Sequence, residues 1–436
     1  MNIGRNHTKL ERSMHSMQRR FFTFRRVAAL SVVGWLGLVG SASAQTVALK
    51  GADLYTVSDG VIESGILIVR GNEIVAVGDS TTAVPAGAEL IDVSGKRIYP
   101  GFIQAYSNLG LTEIDSVRGS VDIGEMGDNN ADVRSEVAVS ADNIRLLPAI
   151  GGGSTHAHVV AEGGRFSGTS AVLRLDGWNW EEMTLDAPTG LHFTFPEVAA
   201  DQEVSEAKDV KEVNAMFEDA RRYGRAREAG LRVDRDRKLE NLLAVLNGEL
   251  RLIVHADRTQ QIESALTWTE EMGIENWLLI STTDVLYHAE ALAERSVPVI
   301  LESVLAIPGR DLEAYDHNFS APARLAEAGV TFAIAAQGDS AFARNLPFIA
   351  GMARAYGFDD EAAVRSVTLG VAEILGVDDQ IGSLTAGKEA SFFVAGGDPL
   401  EITTEIERVW IAGQEVDLMR DPQRRLWTRY RDRPSP

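Results

Sequence analysis

The chain is expected to fold as an α/β protein, a (β/α)8 barrel carrying a small all-β region. Three observations lead there. Residues 47–97 hold short β-type runs joined by tight turns; beyond Pro100-Gly101, short apolar strands alternate with helical stretches; and strand character returns near the end, at 391–411. Alternation of this kind builds a parallel sheet with helices outside it. With 436 residues, 45% of them hydrophobic, there is material for one large domain and a small one.

The first element is a targeting segment. Arg19, Arg20, Arg25 and Arg26 precede an apolar run from Val27 to Val39, and Ala42-Ser43-Ala44 follows with the small-x-small pattern of signal-peptide cleavage. The run is shorter than the about 20 residues of a membrane span, so a cleaved signal is favoured over a signal-anchor. Residues 1–44 are therefore expected to be a bacterial-type signal peptide that sends the protein to the periplasm or the medium. The route stays open, because Gln18 stands where a twin-arginine signal carries Ser or Thr.

The β-type runs are Val47–Leu54, Ile62–Val69 and Ile74–Val77, with Gly71-Asn72 as a turn. After the Pro100-Gly101 boundary the strand candidates are Ile98–Ala105, Thr155–Val160, Leu191–Phe195, Arg251–His255, Trp277–Ser281, Val297–Glu302 and Thr331–Ala336. Seven strands, each followed by helix, suit an eight-stranded barrel with one strand unplaced. A doubly wound open sheet fits less well, since no Gly-rich dinucleotide fingerprint follows a strand. Residues 204–250 and 361–375 read as helical, 391–395 and 409–411 as strands, and 421–436 as a loose charged tail.

Composition excludes some functions. Net charge is −21, and the first 44 residues hold seven of the 42 Lys/Arg and one of the 63 Asp/Glu, so the remainder is more acidic still. Such a surface repels nucleic acid and anionic lipid. There are no cysteines, which removes disulfides, thiolate zinc sites and thiol nucleophiles.

Several residues are candidates for chemistry. His156-Ala157-His158 is the chain's His-x-His; on a strand both imidazoles face one side, so they either share a metal or pack within the barrel wall. His255 ends a strand, where barrel enzymes carry their sites, and is either functional or a satisfied structural histidine. Asp339, in Gln337-Gly338-Asp339-Ser340, is either a general base or a helix cap. In Glu162-Gly163-Gly164-Arg165, the arginine could clamp a substrate carboxylate, or the glycines simply make a tight loop. The acidic stretch 113–136 reads as a solvated lid over the barrel mouth. Trp178, Trp180 and Phe195 either line a pocket or belong to the core.

Two segments resemble the amidohydrolase superfamily. One is Ser94-Gly95-Lys96-Arg97-Ile98-Tyr99-Pro100-Gly101-Phe102-Ile103. The other runs from Ile374-Leu375-Gly376-Val377 through Ile381-Gly382-Ser383-Leu384 and Ala386-Gly387-Lys388 to Gly397-Asp398-Pro399-Leu400. The resemblance implies a TIM-type barrel over 98–383 and a β-sandwich made by both chain ends, 45–97 plus 384–420. It is similar above all to imidazolonepropionase-like exported members. Family members hydrolyse amide, cyclic amide and related bonds, usually with one or two divalent metals.

Departures from the family pattern narrow the expectation. Where the family has Asp-x-His-x-His, this chain has Gln104-Ala105-Tyr106-Ser107-Asn108, and neither Tyr106 nor Asn108 is a good zinc ligand. Ser281-Thr282-Thr283 stands where the strand-six His is expected, and no Lys lies near 191–195. The resemblance makes His255 the strand-five His and Asp339 the strand-eight Asp. The expected ligands are thus His156, His158 and His255, holding at most one divalent ion such as zinc, with Asp339 and His255 catalytic and Arg165 binding substrate. The expected activity is hydrolysis of a small non-peptide C–N bond at this reduced metal site. The rival is a catalytically silent barrel that binds a ligand or partner; a third reading is metal-free hydrolysis by Asp339 and His255, which lacks the usual means of activating water. A small-molecule substrate is expected, without nucleic acid or a membrane span in the processed chain, and a homo-oligomer is compatible with the sequence. The mature N-terminus should be Gln45: Edman sequencing of the exported protein is expected to begin there, and retention of Val27–Val39 would refute it.

Overall fold

The fold begins as a hairpin stack. In the computed structural model, which describes residues 45–302, 304–431 and 433, the chain enters at β1 (Thr46–Tyr55), β2 (Val61–Arg70) and β3 (Glu73–Gly78). The expected signal segment lies outside the described residues. β1 and β2 run antiparallel, as do β2 and β3, and Gly71 takes φ 61° in the two-residue turn between Arg70 and Glu73. β4 (Glu89–Asp92) and β5 (Arg97–Pro100) add parallel to β1.

At Pro100-Gly101 the chain passes from one sheet to the other. The sequence suggested one strand over Ile98–Ala105, but the structure divides it into β5 and β6 (Phe102–Ser107), which belong to different sheets. Proline lacks the N–H a ladder needs. A Cβ on Gly101 would collide with the Thr155 side chain, so the sheets meet closely there.

The barrel sheet runs β6, β7 (Ser154–Val159), β8 (Phe166–Arg174), β9 (Thr184–Thr194), β10 (Leu252–His255), β11 (Trp277–Ser281), β12 (Val299–Leu301) and β13 (Phe332–Ile334), each hydrogen-bonded to the next. The eighth strand missing from the sequence reading is β8, and it runs antiparallel to both neighbours. Its Ser-Gly-Thr-Ser stretch has none of the apolar continuity of a buried parallel strand, so it read as loop. Side chains alternate across the wall. Ile103, Ala105, Ile253, Leu278, Ile280, Ile300 and Ala333 form the inner core, while Leu252, Val254, Leu279, Val299 and Leu301 pack outward against the helices.

The seam between β6 and β13 is closed by a broken helix. Residues 361–375 form two helices, Asp360–Arg365 and Leu369–Leu375, not one. In the gap, the Ser366 and Val367 carbonyls accept from Ile334 N (3.1 Å) and Ile103 N (2.9 Å). At the other end of the seam Asn108 N donates to Gly338 O at 3.0 Å. Val371, Ile374 and Leu375 of the second helix complete the inner core.

The chain then returns to the first sheet through β14 (Phe392–Ala395), β15 (Ile406–Ile411) and β16 (Gln414–Glu415), with β14 antiparallel to β5. Leu49, Leu54 and Leu67 from one chain end share a core with Phe392, Val394 and Trp410 from the other. The polar stretch 204–250 forms helices Lys208–Glu228 and Arg237–Leu246, the second capped by Asp236. The tail expected to be loose is helical over Pro422–Arg431, and Arg424 holds it by donating to the Ile406 carbonyl at 3.0 Å.

One buried ion cluster joins the two sheets. His156 Nε2 lies 3.1 Å from Glu389 Oε1, Arg174 Nε donates to Glu389 Oε2 at 2.7 Å, and Ser391 Oγ donates to Oε1 at 2.7 Å. Burial pushes the Glu389 carboxyl up, but the hydrogen bonds and charges of His156 and Arg174, with Ser391, outweigh it and bring it down to about 2. A carboxyl lowered on folding stabilises above its unfolded value and loses that contribution as pH falls toward the folded one. Glu389→Gln should therefore cost about 2–4 kcal/mol in denaturant unfolding at pH 7. The gap to wild type should narrow as pH falls from 4.5 toward 2; an unchanged midpoint at pH 7 would contradict it.

Candidate functional site

Near the C-terminal ends of the strands, the inward positions turn polar. On β10, period two carries the inner wall from Ile253 to His255, and β7 and β9 bring His158 and His192 to the lumen beside it. From β6 and the ends of β12 and β13 come Tyr106, Glu302 and Asp339.

His158 is fully engaged. Its Nδ1 lies 2.9 Å from the Ala105 carbonyl, which can only accept, so Nδ1 carries the proton. Nε2 then accepts from the Thr189 hydroxyl at 3.1 Å, and Thr189 accepts from Ser170 Oγ at 2.8 Å. Burial lowers the imidazole pKa to about 4, against the Ala105 hydrogen bond, so the ring is neutral at ordinary pH.

His192 and His255 engage each other. His192 Nδ1 and His255 Nε2 are 2.8 Å apart, so one donates to the other. Burial, followed by the neighbouring imidazoles, pushes His192 well down; burial, followed by His158, brings His255 to about 4. His192 is 1% exposed, and its Nε2 has no hydrogen-bond partner among the described residues. Tyr106 stands edge-on to His255, ring centres 5.6 Å apart.

Outside this imidazole layer lies an acidic pocket of about 390 Å³. Tyr106, Asn108, Glu162, Glu302 and Asp339 line it, and Asp115, Val121 and Ile123 of the 113–136 lid form its outer wall. Burial raises the Glu302 carboxyl to about 8, helped by the charges of Asp257 and Glu162. Burial also raises Glu162, with Asn108 hydrogen-bonded against the shift and Asp339 adding to it. The Tyr106 phenol is pushed up by burial and then by Glu302, Glu162 and Asp257.

The structure places the residues singled out from sequence as follows: His158 and His255 share the imidazole layer, and the others lie apart from it. His156 turns to Glu389 in the cluster between the sheets, away from His158, whose two nitrogens are occupied. His255 meets His192. Asp339 Oδ1 accepts from Arg145 Nη1 at 3.1 Å and from Ala341 N at 2.8 Å, so it fastens a turn at the pocket edge. Arg165 lies 3.6 Å from Asp209 at the start of the Lys208–Glu228 helix and does not line the mouth pocket. Trp178 is 89% exposed, and Phe195 packs in the outer core against Phe193 and Trp268. A catalytic zinc needs three protein donors turned to one point. Among the described residues no three His, Asp or Glu side chains form such a group, and His192 Nε2, the buried imidazole nitrogen of the layer without a partner, stands alone. The residues present do not fit the metal that the family pattern implies.

His192, Glu302 and Glu162 were missed as site residues. The signal for His192 was present: a polar residue between Leu191 and Phe193 that shares the inward phase of His255. Glu302 is the first charge after the Val299–Leu301 run.

Comparisons with known proteins agree with this architecture. The pattern describing the Amidohydrolase family matches residues 254–416. Amidohydrolase tasK of Hapsidospora irregularis is 22% identical; the match covers 82% of this chain but spans only 40% of that protein's length. The crystal structure of an amidohydrolase from Thermotoga maritima MSB8 aligns with a TM-score of 0.77 at 25% identity, over 85% of this chain and 99% of that one. Phenylurea hydrolase B, at TM-score 0.53 and 14% identity over 87% and 98% of the two chains, shares the fold. With the family's pattern matching residues 254–416 and the fold reproduced over almost the whole Thermotoga protein, the chain is similar to the amidohydrolase family in sequence and in architecture.

Proposed function

We propose that this amidohydrolase-like barrel binds a small molecule at its mouth and does so without a resident catalytic metal. The observation that carries the reading is the occupation of the imidazoles. His158 is held at both nitrogens, His192 and His255 bond each other, and positions 106 and 108 offer a phenol and an amide. Most of these donors are engaged with the scaffold and the free His192 Nε2 stands alone, which leaves no open set to polarise a carbonyl or activate water. The 390 Å³ pocket falls in the size range of small-molecule sites. Given the Arg-rich, apolar start of the chain, the proposed place of action is outside the cytoplasm.

Hydrolysis of a small non-peptide C–N bond is the second reading, favoured by Glu302. A buried carboxyl with a pKa near 8 holds a proton at pH 7 and could pass it to a leaving nitrogen. What this reading lacks is a base, since Asp339 Oδ1 is taken by Arg145 and Ala341.

Metal analysis of the purified mature protein, with assays on acyl-amino acids and cyclic amides, separates the two. The expected outcome is far less than one metal per chain and no turnover above background. A tightly held metal whose removal abolishes hydrolysis would overturn the proposal. A substitution sharpens it: His158→Ala should destabilise the fold by about 1–3 kcal/mol, because Ala105 and Thr189 lose a buried partner. Metal content should stay unchanged in the variant, and a loss of bound metal would mark His158 as a ligand after all.

A further inference from the structure

The charge pattern of the mouth pocket is unbalanced. Asp115, Glu162, Glu302 and Asp339 all line it. A neighbouring cation, Arg145, is spent on Asp115 Oδ2 at 2.9 Å and Asp339 Oδ1 at 3.1 Å, and it also donates to Ser340 Oγ and the Glu113 carbonyl. Among the described residues neither Glu162 nor Glu302 forms an ion pair. Buried carboxylates are ordinarily paired, because desolvating a lone charge is costly.

A second feature is independent of the acids. Thr112 lines the same pocket and is 3% exposed, yet its hydroxyl has no hydrogen-bond partner among the described residues. Buried hydroxyls are rarely left so, and one at a pocket wall awaits a polar atom of a ligand. The aromatic ring of Tyr106 completes the wall, held in place by close packing: a Cβ on Gly338, which sits at φ 69°, would strike the ring and approach Glu302 Oε1. Val121 and Ile123 supply apolar surface on the lid side.

The geometry points to an organic cation, a primary ammonium on a short apolar stem, as the molecule this mouth takes. Three N–H groups on one nitrogen can be shared among Glu302, Glu162 and the Thr112 hydroxyl, each of which has an oxygen to accept them, Glu302 after releasing the proton it holds without a cation. The Tyr106 ring adds cation–π attraction, and the stem lies against Val121 and Ile123. A bare divalent ion does not suit the place, since among the described residues no three acidic or imidazole side chains converge closely enough to share one. An anion would meet the carboxylates of Asp115, Glu162 and Asp339, with the neighbouring Arg145 already paired. The upward shifts of Glu162 and Glu302 accord with this, being the mark of carboxylates that lack a compensating cation. The inference rests on the proposed small-molecule role of the mouth and names the class of molecule.

The test uses the mature protein at pH 7.5 and three probes of similar size: benzylamine as its ammonium, benzyl alcohol and benzoate, with calcium chloride as a fourth arm. Calorimetric titration should show saturable binding of benzylammonium alone, accompanied by a rise in Tm. Glu302→Gln and Thr112→Val should each weaken it, the first by about tenfold or more. Glu302→Gln is close in shape and removes a buried acid, so its unliganded Tm should equal or exceed wild type, which shows that lost binding is not lost folding. Binding of benzoate or benzyl alcohol equal to benzylammonium would overturn the cation inference while leaving the small-molecule role standing. So would undiminished benzylammonium binding by Glu302→Gln. Calcium that binds tightly and excludes benzylammonium would overturn it in favour of a metal site, and failure of all the probes would count against this inference and the binding role together.

Discussion

Burial inside a closed barrel governs this molecule more than any single contact. Side chains in the lumen are buried, so a polar one placed there is costly unless it meets a partner or gives up its charge. The inner wall obeys this in layers. Ile103, Ile253, Leu278 and Ile300 fill its lower part with hydrocarbon. Above them come three imidazoles, all driven neutral by burial and tied to a carbonyl, a hydroxyl or one another. At the mouth, burial raises the proton affinity of Glu302 and Glu162.

Two histidines on one strand show how steeply that environment varies. His156 and His158 lie two residues apart on β7, a separation of roughly 6.5–7 Å along the strand. The first reaches the boundary between the sheets, where Glu389 and Arg174 supply charge. The second meets only neutral partners, Ala105 and Thr189. Shared phase on a strand gives shared direction, but a metal also needs donors at one height. A His-x-His pair delivers that only at the open end of the barrel, and this one begins too deep.

Much of the architecture was legible because it is written in local pattern. Apolar strand runs marked seven of the eight barrel strands, and Pro100-Gly101 marked the passage between sheets. β8 was hidden because Ser167, Gly168, Thr169 and Ser170 have a loop's composition; they are a strand because their neighbours β7 and β9 supply the ladder. The break at Ser366-Val367 was equally invisible, since helix propensity continues through it and the two carbonyls are claimed by the barrel seam. The site was harder to read. Tyr106 and Asn108 announced that the family's metal pattern was altered, whereas the His192–His255 pairing and the isolation of Glu302 depend on strands distant in sequence. Pairing of that kind has no local signature.

A superfamily fold fixes where a site can form, not which chemistry occupies it. Here the mouth retains the position of a hydrolytic centre, while the groups beneath it serve the scaffold. Metal sites and cation pockets both gather carboxylates, but they differ in convergence. A metal draws its oxygens to one point about 2–2.5 Å away, which requires them to approach one another against their own repulsion. Glu162, Glu302 and Asp339 instead surround a volume, joined by a phenol ring and an unpartnered hydroxyl. Carboxylates spread around a cavity and buried there hold protons more tightly, the direction in which Glu162 and Glu302 are shifted. The same spread favours a ligand whose charge is carried on several N–H groups and whose bulk fills the space between them.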